Sequence, residues 1–103
     1  MINLPDYKKI HCIGIGGIGL SAIAEILLSR GYEVSGSDMR ESEMTERLIE
    51  QGARIYLGHR AKNVDDVDLV IYSSAIGRDN PELARADERG IPAITRAQAL
   101  GVL

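Results

Sequence analysis

The stretch from Cys12 to Ser21 constrains the fold most strongly, because it sets a glycine-rich turn between a short apolar strand and an amphipathic helix. Gly14, Gly16 and Gly19 have the spacing G-x-G-x-x-G. Between a strand and a helix, the first glycine permits a tight turn, the second lets a phosphate approach the backbone, and the third lets the helix pack on the strand. The N–H groups at the start of the helix would then face an anion. The spacing alone is a weak signal, since such a turn also forms where nothing binds.

Periodic apolar residues and glycine stops predict alternating strands and helices along the rest of the chain. Predicted helices end at Gly31, Gly52 and Gly90, and a strand follows each of them within a few residues. Aliphatic residues dominate the apolar positions, with no Phe or Trp, which suits strands buried on both faces of a parallel sheet. We therefore expect a single α/β domain over residues 1–103, with a Rossmann-like three-layer fold and a mainly parallel five-stranded sheet. The predicted strands cover residues 9–13, 32–37, 54–57, 68–73 and 93–95.

Polar residues mark the starts of the later helices. Ser42 is predicted to cap the second helix and Asn80 the third, where a proline follows at the first helical position. Residues 96–103 are expected to begin a fourth helix. Residues 1–8 are predicted to be a loose lead-in, and the polar segment 61–67 is compatible with either a loop or a helical turn.

Composition excludes several classes of function. The net charge of −3 argues against a nucleic-acid partner bound through phosphate neutralisation. No apolar run reaches the length of a membrane span and no signal-like N-terminus is present, so we expect no membrane insertion and a cytoplasmic protein. His11 and His59, with the single Cys12, have no metal-site spacing, and no nucleophile–base set can be assembled. We therefore predict no metal site and no catalytic residue, a buried Cys12, and a structural, hydrogen-bonded His11.

The predicted strands bring chemically distinctive residues to one edge of the sheet. In parallel sheets, ligands bind outside the carboxyl ends of the strands, where the topology reverses direction. Small residues, hydroxyls, an acid, an imidazole and a guanidinium gather at that edge, whereas the opposite edge receives residues of little chemical character. This asymmetry predicts a site for a nucleotide-like anion. The residues at the edge are Gly14 to Gly19, Ser37, Asp38, Gly58, His59, Arg60, Ser73 and Ser74.

Each polar candidate at this edge has a second interpretation. Asp38 lies where an acid would bind a ribose hydroxyl, but it could also cap the next turn. His59 could donate to a phosphate or a base, or it could be a solvated loop histidine. Ser73 and Ser74 could bind a ligand, or they could satisfy backbone groups of their own loop.

A family resemblance is carried by the segment IHCIGIGGIGLSAIA at residues 10–24, which resembles the opening of the ATP-dependent Mur ligases of peptidoglycan synthesis. Within that family, the doubled glycine at Gly16 and Gly17 fits the member that adds L-alanine better than its murein-tripeptide-recycling relative. Leu20 stands where the family more often has methionine, which is a conservative packing change. Further matches are VSGSD at 34–38, GH at 58–59, YSSAI at 72–76, NPE at 80–82 and RA at 96–97.

The resemblance implies an N-terminal domain that binds UDP-N-acetylmuramate, in a ligase that joins L-alanine to the muramate carboxylate through an acyl phosphate. The implied partners are this UDP-sugar and the remaining domains of the same ligase. It implies that backbone N–H groups of Gly16, Gly17, Ile18 and Gly19 hold the pyrophosphate. It also implies that Ser37, Asp38 and Arg40 contact the uridine, that His59 lies close to the nucleotide, and that Ser73, Ser74 and Ala75 face the sugar end.

The resemblance also implies which parts of the reaction lie elsewhere. In the family, ATP and magnesium act in a central domain, on a glycine–lysine–threonine loop and catalytic carboxylates. This chain has no G-x-x-x-x-G-K-[ST] segment, so we expect it to hold no cofactor itself and to be inactive alone. Two other functions fit the glycine spacing and Asp38: the NAD(P)-binding domain of a dehydrogenase, and a stand-alone nucleotide-binding module.

Overall fold

Five strands form one sheet in the computed structural model, which describes residues 2–103. All pairings are parallel, and the strand order is third, second, first, fourth, fifth. The predicted Rossmann-like α/β fold is confirmed, and the predicted strand ends differ only by one residue in the second and fourth strands. The strands are β1 (Lys9–Ile13), β2 (Glu33–Asp38), β3 (Arg54–Leu57), β4 (Leu69–Tyr72) and β5 (Ala93–Thr95).

Helices cover both faces of the sheet, because apolar side chains of the central strands point both ways. The helices are α1 (Ile18–Ser29), α2 (Glu43–Glu50), α3 (Pro81–Glu88) and α4 (Arg96–Val102). Apolar residues of α1, α2 and α4 share the larger core cluster with one face of β1, β2 and β4. The other face packs against α3 and a 3-10 helix, Ala61–Val64, in a smaller cluster. The segment 61–67 therefore does contain a helical turn.

The N-terminal segment is less loose than the sequence predicts. Leu4–Asp6 form a 3-10 helix, and the Leu4 side chain is buried in the larger core. The expectation of a loose lead-in is therefore wrong at Leu4, whose apolar side chain fills a position in the core. No helix within residues 2–103 combines the length and the apolarity that crossing a membrane requires.

The topology reverses direction beside β1. The chain moves from β1 outward to β2 and β3, and then returns to place β4 on the other side of β1. The carboxyl ends of β1 and β4 therefore flank the point at which doubly wound sheets bind ligands. The glycine-rich turn after Ile13 lies at this point.

Candidate nucleotide-binding site

The glycine-rich turn is held in place by hydrogen bonds within the chain. Gly14 has φ +83°, a left-handed conformation that favours glycine, and its N–H donates to the carbonyl oxygen of Ser37 at 2.8 Å. The Gly16 N–H donates to Oδ2 of Asp38 at 2.9 Å, and the Gly17 N–H donates to the Gly14 carbonyl at 3.0 Å. Both N–H groups therefore already have acceptors in this conformation, and the pyrophosphate contacts that the family resemblance implies for Gly16 and Gly17 stay a prediction.

The first turn of α1 presents the open donors instead. The helix begins at Ile18, and its first internal bond runs from the Ser21 N–H to the Gly17 carbonyl at 2.8 Å. The N–H groups of Ile18, Gly19 and Leu20 consequently have no acceptor within the described residues. Gly17 occupies the N-cap position and has no side chain to cover them.

The other three helices have side-chain caps at this position. Ser42 caps α2 and Thr95 caps α4, each in a reciprocal capping box, and Asn80 caps α3 through Oδ1. The predicted caps Ser42 and Asn80 are confirmed. Among the four α-helices of residues 2–103, only α1 lacks a side-chain cap. Its N-terminal N–H groups and positive dipole end therefore remain available to an external anion.

Arg96 adds a cation beside these donors. A β-carbon built on Gly19 would lie 2.5 Å from Cδ and 3.3 Å from Nη1 of Arg96, so the arginine side chain lies directly against the start of α1. Arg96 is exposed, and it forms no ion pair with a carboxylate inside the 2–103 range. A guanidinium in this position suits recognition of a phosphate.

Asp38 connects the end of β2 to the glycine turn. Its Oδ2 accepts from Gly16, and its Oδ1 lies 3.3 Å from the N–H of Arg40, so the same carboxylate also caps the following turn. Asp38 is half-buried and Arg40 is exposed. The carboxylate therefore shapes the site whether or not it also contacts a ligand.

The loop after β4 lies beside the same turn. A β-carbon on Gly14 would lie 3.3 Å from Oγ of Ser73, so this hydroxyl borders the glycine turn. The Ser73 carbonyl accepts from the Ile76 N–H at 3.0 Å, which closes a tight turn containing Ser74 and Ala75. Ser74 and Ala75 are exposed.

Ser37 and His59 belong to a polar network that is buried at Ser37 and reaches the surface at His59. Ser37 is fully buried, and its hydroxyl donates to Oε1 of Glu82 at 2.6 Å. His59 Nδ1 lies 2.8 Å from the Ser37 hydroxyl, and 13% of the His59 side chain is exposed. His11 Nε2 lies 2.6 Å from the same Oε1, which confirms the predicted structural role of His11.

The charge state of Glu82 follows from its neighbours. Burial is the largest effect and raises the pKa of Glu82. Hydrogen bonds from His11, Ser37 and Asn63, together with the charge of His11, outweigh it and hold the pKa below its usual value. The Glu82 carboxylate is therefore ionised at neutral pH. Burial raises the pKa of the Cys12 thiol to about 12, in line with the predicted inert core position.

The rest of the described surface shows fewer features of a binding site than the glycine turn does. Within the described range, no three His, Cys, Asp or Glu side chains are arranged to hold a metal ion. A shallow depression of about 460 Å³ lies at the opposite edge of the sheet, where it is bordered by Gly31, Gly52 and Tyr56. It contains none of the residues that the sequence predicts for the site.

Comparison with known proteins shows to which family the chain belongs. Residues 9–103 match the model of the Mur ligase family, catalytic domain. The chain belongs to the Mur ligase family. A curated relative, the UDP-N-acetylmuramate–L-alanine ligase of Alkaliphilus metalliredigens, is 56% identical over 101 residues, which are 96% of this chain and 22% of that protein. This chain thus spans about one fifth of the length of the curated relatives that it matches.

Solved Mur ligase structures share the fold. The UDP-N-acetylmuramate-alanine ligase of Thermotoga maritima superposes with a TM-score of 0.85 at 43% identity, covering 89% of this chain and 21% of that one. The UDP-N-acetylmuramate:L-alanyl-gamma-D-glutamyl-meso-diaminopimelate ligase of Neisseria meningitides has a TM-score of 0.83 at 31% identity, covering 91% and 30%. Membership of the Mur ligase family decides against the dehydrogenase interpretation.

The sequence does not predict a role in the site for two of these residues. Glu82 and Arg96 enter the sequence analysis only within the family matches NPE at 80–82 and RA at 96–97. A signal for Glu82 was available: His11, Ser35 and Ser37 form a polar stripe on one face of two adjacent parallel strands. Because both faces of such a sheet are covered, the covering helix must supply a polar partner.

Proposed function

We propose that this Mur ligase chain binds UDP-N-acetylmuramate, as the substrate-binding part of a ligase that adds L-alanine to the muramate carboxylate. The observation that carries the proposal is the uncapped start of α1 at the topological switch point, with the guanidinium of Arg96 beside it. Three open N–H groups, a helix dipole and a cation together suit a diphosphate. We assign the diphosphate to Ile18, Gly19, Leu20 and Arg96.

The remaining site residues divide between the two ends of the substrate. Asp38, Arg40 and His59 lie at the β2 and β3 side of the glycine turn, and we assign them to the uridine. Ser73, Ser74 and Ala75 lie at the β4 side, and we assign them to the sugar end. Ser37 is buried beneath His59, so in this proposal it acts through the imidazole.

Two comparisons support L-alanine as the amino acid added. The curated relatives at 52–59% identity are named UDP-N-acetylmuramate–L-alanine ligases. The structural match to the alanine ligase has 43% identity, against 31% for the ligase that uses a tripeptide. Peptidoglycan synthesis is thus the proposed process, and we propose a cytoplasmic location, where ATP and UDP-sugars are available.

The residues of this chain do not fit ATP or magnesium. The sequence has no lysine-bearing phosphate loop, and the described residues contain no cluster of carboxylates or imidazoles suited to a metal. We therefore assign this chain recognition and positioning of the UDP-sugar, which contribute to catalysis by holding the reacting carboxylate in place. The remaining domains of the ligase are its proposed partners.

A ligand panel tests this proposal. The ¹⁵N-labelled chain is titrated separately with UDP-N-acetylmuramate, UDP, NADH and ATP, and amide shifts are followed by NMR. We expect saturable shifts with the two uridine nucleotides and little response to NADH or ATP. Because contacts from other domains are lacking, affinity should be in the high-micromolar to millimolar range, about 4–6 kcal/mol. Tight NADH binding without a response to UDP would contradict the proposal.

A further inference from the structure

Glu82 accepts four hydrogen bonds, and these determine where the protons of the network lie. Its Oε1 is 2.6 Å from both His11 Nε2 and the Ser37 hydroxyl. Its Oε2 accepts from the backbone N–H of Arg60 and from Nδ2 of Asn63, each at 2.9 Å. An ionised carboxylate has no proton to give, so every one of these partners must donate.

This arrangement fixes the protonation of His59. A serine hydroxyl has one hydrogen, and that of Ser37 is used in the bond to Glu82. The contact of 2.8 Å between Ser37 Oγ and His59 Nδ1 is a hydrogen bond only if Nδ1 carries the proton and Ser37 accepts it. Oε2 of Glu82, 3.8 Å from Nδ1, favours the same position for the proton.

The other ring nitrogen of His59 is the one that meets solvent. Every buried side-chain nitrogen or oxygen in the described part of the chain has a hydrogen-bond partner, and Nε2 of His59 has none. It follows that Nε2 reaches the surface, where 13% of the side chain is exposed. In a neutral ring protonated on Nδ1, Nε2 is an acceptor.

We propose that Glu82 and Ser37 are positioning residues that hold neutral His59 in the Nδ1–H tautomer, so that Nε2 accepts a hydrogen bond from an N–H or O–H group of the bound nucleotide. In a uridine nucleotide, the groups that can donate this hydrogen bond are a ribose hydroxyl and the imide N–H of uracil. Neutral His59 therefore does not donate to a phosphate. The identity of the ligand rests on the proposed function, whereas the tautomer rests on the network alone.

Replacing Glu82 with glutamine should reverse the direction of the hydrogen bonds that link residue 82, Ser37 and His59, while a side chain of similar size still fills the position. The side-chain amide of glutamine has two donor hydrogens and one acceptor oxygen. Its oxygen must face the backbone N–H of Arg60, which can only donate, so its NH₂ group faces His11 and Ser37. The Ser37 hydroxyl then lacks its acceptor and turns to donate to His59 Nδ1, which moves the His59 proton to Nε2.

Two serines of β2 provide a matched pair of further variants. Ser37→Ala removes the hydroxyl that links Glu82 to His59 and leaves only the 3.8 Å contact between Glu82 Oε2 and His59 Nδ1. The Nδ1–H tautomer of His59 should therefore lose part of its population to the Nε2–H form, which gives a mixture. Ser35→Ala removes the neighbouring hydroxyl, which contacts Nδ1 of His11 at 2.8 Å and lies on the far side of the network from His59. This second change should leave the His59 tautomer as it is in the original chain.

The tautomers are read from long-range ¹H–¹⁵N correlations of the histidine rings, at a pH where titration shows both rings to be neutral. We expect Nδ1–H for His59 in the ligand-free chain and after Ser35→Ala, Nε2–H after Glu82→Gln, and a mixture after Ser37→Ala. An Nε2–H form in the original chain, or no change after Ser37→Ala, would overturn the claim that Glu82 and Ser37 determine the tautomer of His59. If Glu82→Gln fails to fold, the Ser37→Ala variant alone tests whether the network determines the tautomer of His59.

Nucleotide analogues test the contact itself. Glu82→Gln should weaken UDP binding about tenfold, because an acceptor at the site becomes a donor. Among 2′-deoxy-UDP, 3′-deoxy-UDP and N3-methyl-UDP, the analogue that lacks the relevant donor should bind the original chain more weakly and lose its sensitivity to Glu82→Gln. Equal binding of all analogues would overturn the contact but not the proposed function. No binding of UDP to the original chain would overturn both the contact with His59 and the proposed function. The histidine ring spectra would still test whether Glu82 and Ser37 determine the tautomer of His59.

Discussion

Replacing Glu82 with alanine should destabilise the fold strongly, because the change leaves four donors around an empty space. These donors are His11, Ser37, Arg60 and Asn63. A buried donor without a partner costs about 1–3 kcal/mol, so four would lose about 4–12 kcal/mol in total. Water that enters the polar cavity restores part of this. We therefore expect a loss of about 3–5 kcal/mol, the usual result of removing one partner of a buried ion pair.

That loss is a large share of the stability of a small domain, which is about 5–15 kcal/mol. Urea unfolding followed by far-UV circular dichroism measures it, and the midpoint should fall by more than about 1 M. Glu88→Ala is the matched control, because Glu88 lies on the same helix with 72% of its side chain exposed and only a 3.9 Å contact to Arg85. Equal stability of the two variants would refute the claim that the carboxylate of Glu82 organises this face of the sheet.

Four further predictions follow from the site and the core. Gly17→Val should abolish binding of UDP because the new side chain would cover the open N–H groups; the chain should stay folded, since φ −66° and ψ 149° suit any residue and the 3.3 Å contact of the new β-carbon with the Gly14 carbonyl oxygen requires only a small shift. Gly101→Val, at an open position in α4, should bind normally in the same titration. Arg96→Ala should weaken UDP binding about tenfold but leave uridine binding unchanged, as calorimetry would show. The pKa of Glu82 is lower in the folded chain than its ordinary 4.5, so the stabilisation that its ionised form provides is present above pH 4.5 and is lost as the pH falls through the folded pKa. The difference in unfolding free energy between the original chain and Glu82→Gln, measured by urea unfolding, should therefore narrow as the pH is lowered below 4.5. The Cys12 thiol should resist a thiol reagent in the native chain and react once urea unfolds it.

The sequence predicts the fold well because its signals are local. The glycine stops, the caps at Ser42 and Asn80, and the aliphatic strands each depend on a few neighbouring residues, and all agree with the structure. The glycine turn is likewise visible in its spacing. These features determine where the site lies on the sheet.

The contacts within the site depend on residues far apart in the chain. Glu82 meets His11 across 71 positions, and the Gly16 N–H is taken by Asp38, 22 positions away. Arg96 reaches Gly19 only because β5 and α4 return to the start of α1. No short segment encodes such pairings, so the sequence predicts phosphate contacts at Gly16, Gly17, Ile18 and Gly19 but gives no role in the site to Glu82 or Arg96.

The central claim is that the diphosphate of UDP-N-acetylmuramate binds the open N–H groups of Ile18, Gly19 and Leu20. The most direct test is a through-bond ¹⁵N–³¹P coupling measurement on the labelled chain saturated with the nucleotide, which reports which amides donate to phosphorus-bound oxygens. We predict couplings at these three residues, with the bond from Gly16 to Asp38 retained. Couplings at Gly16 and Gly17, with Asp38 released, would contradict the account.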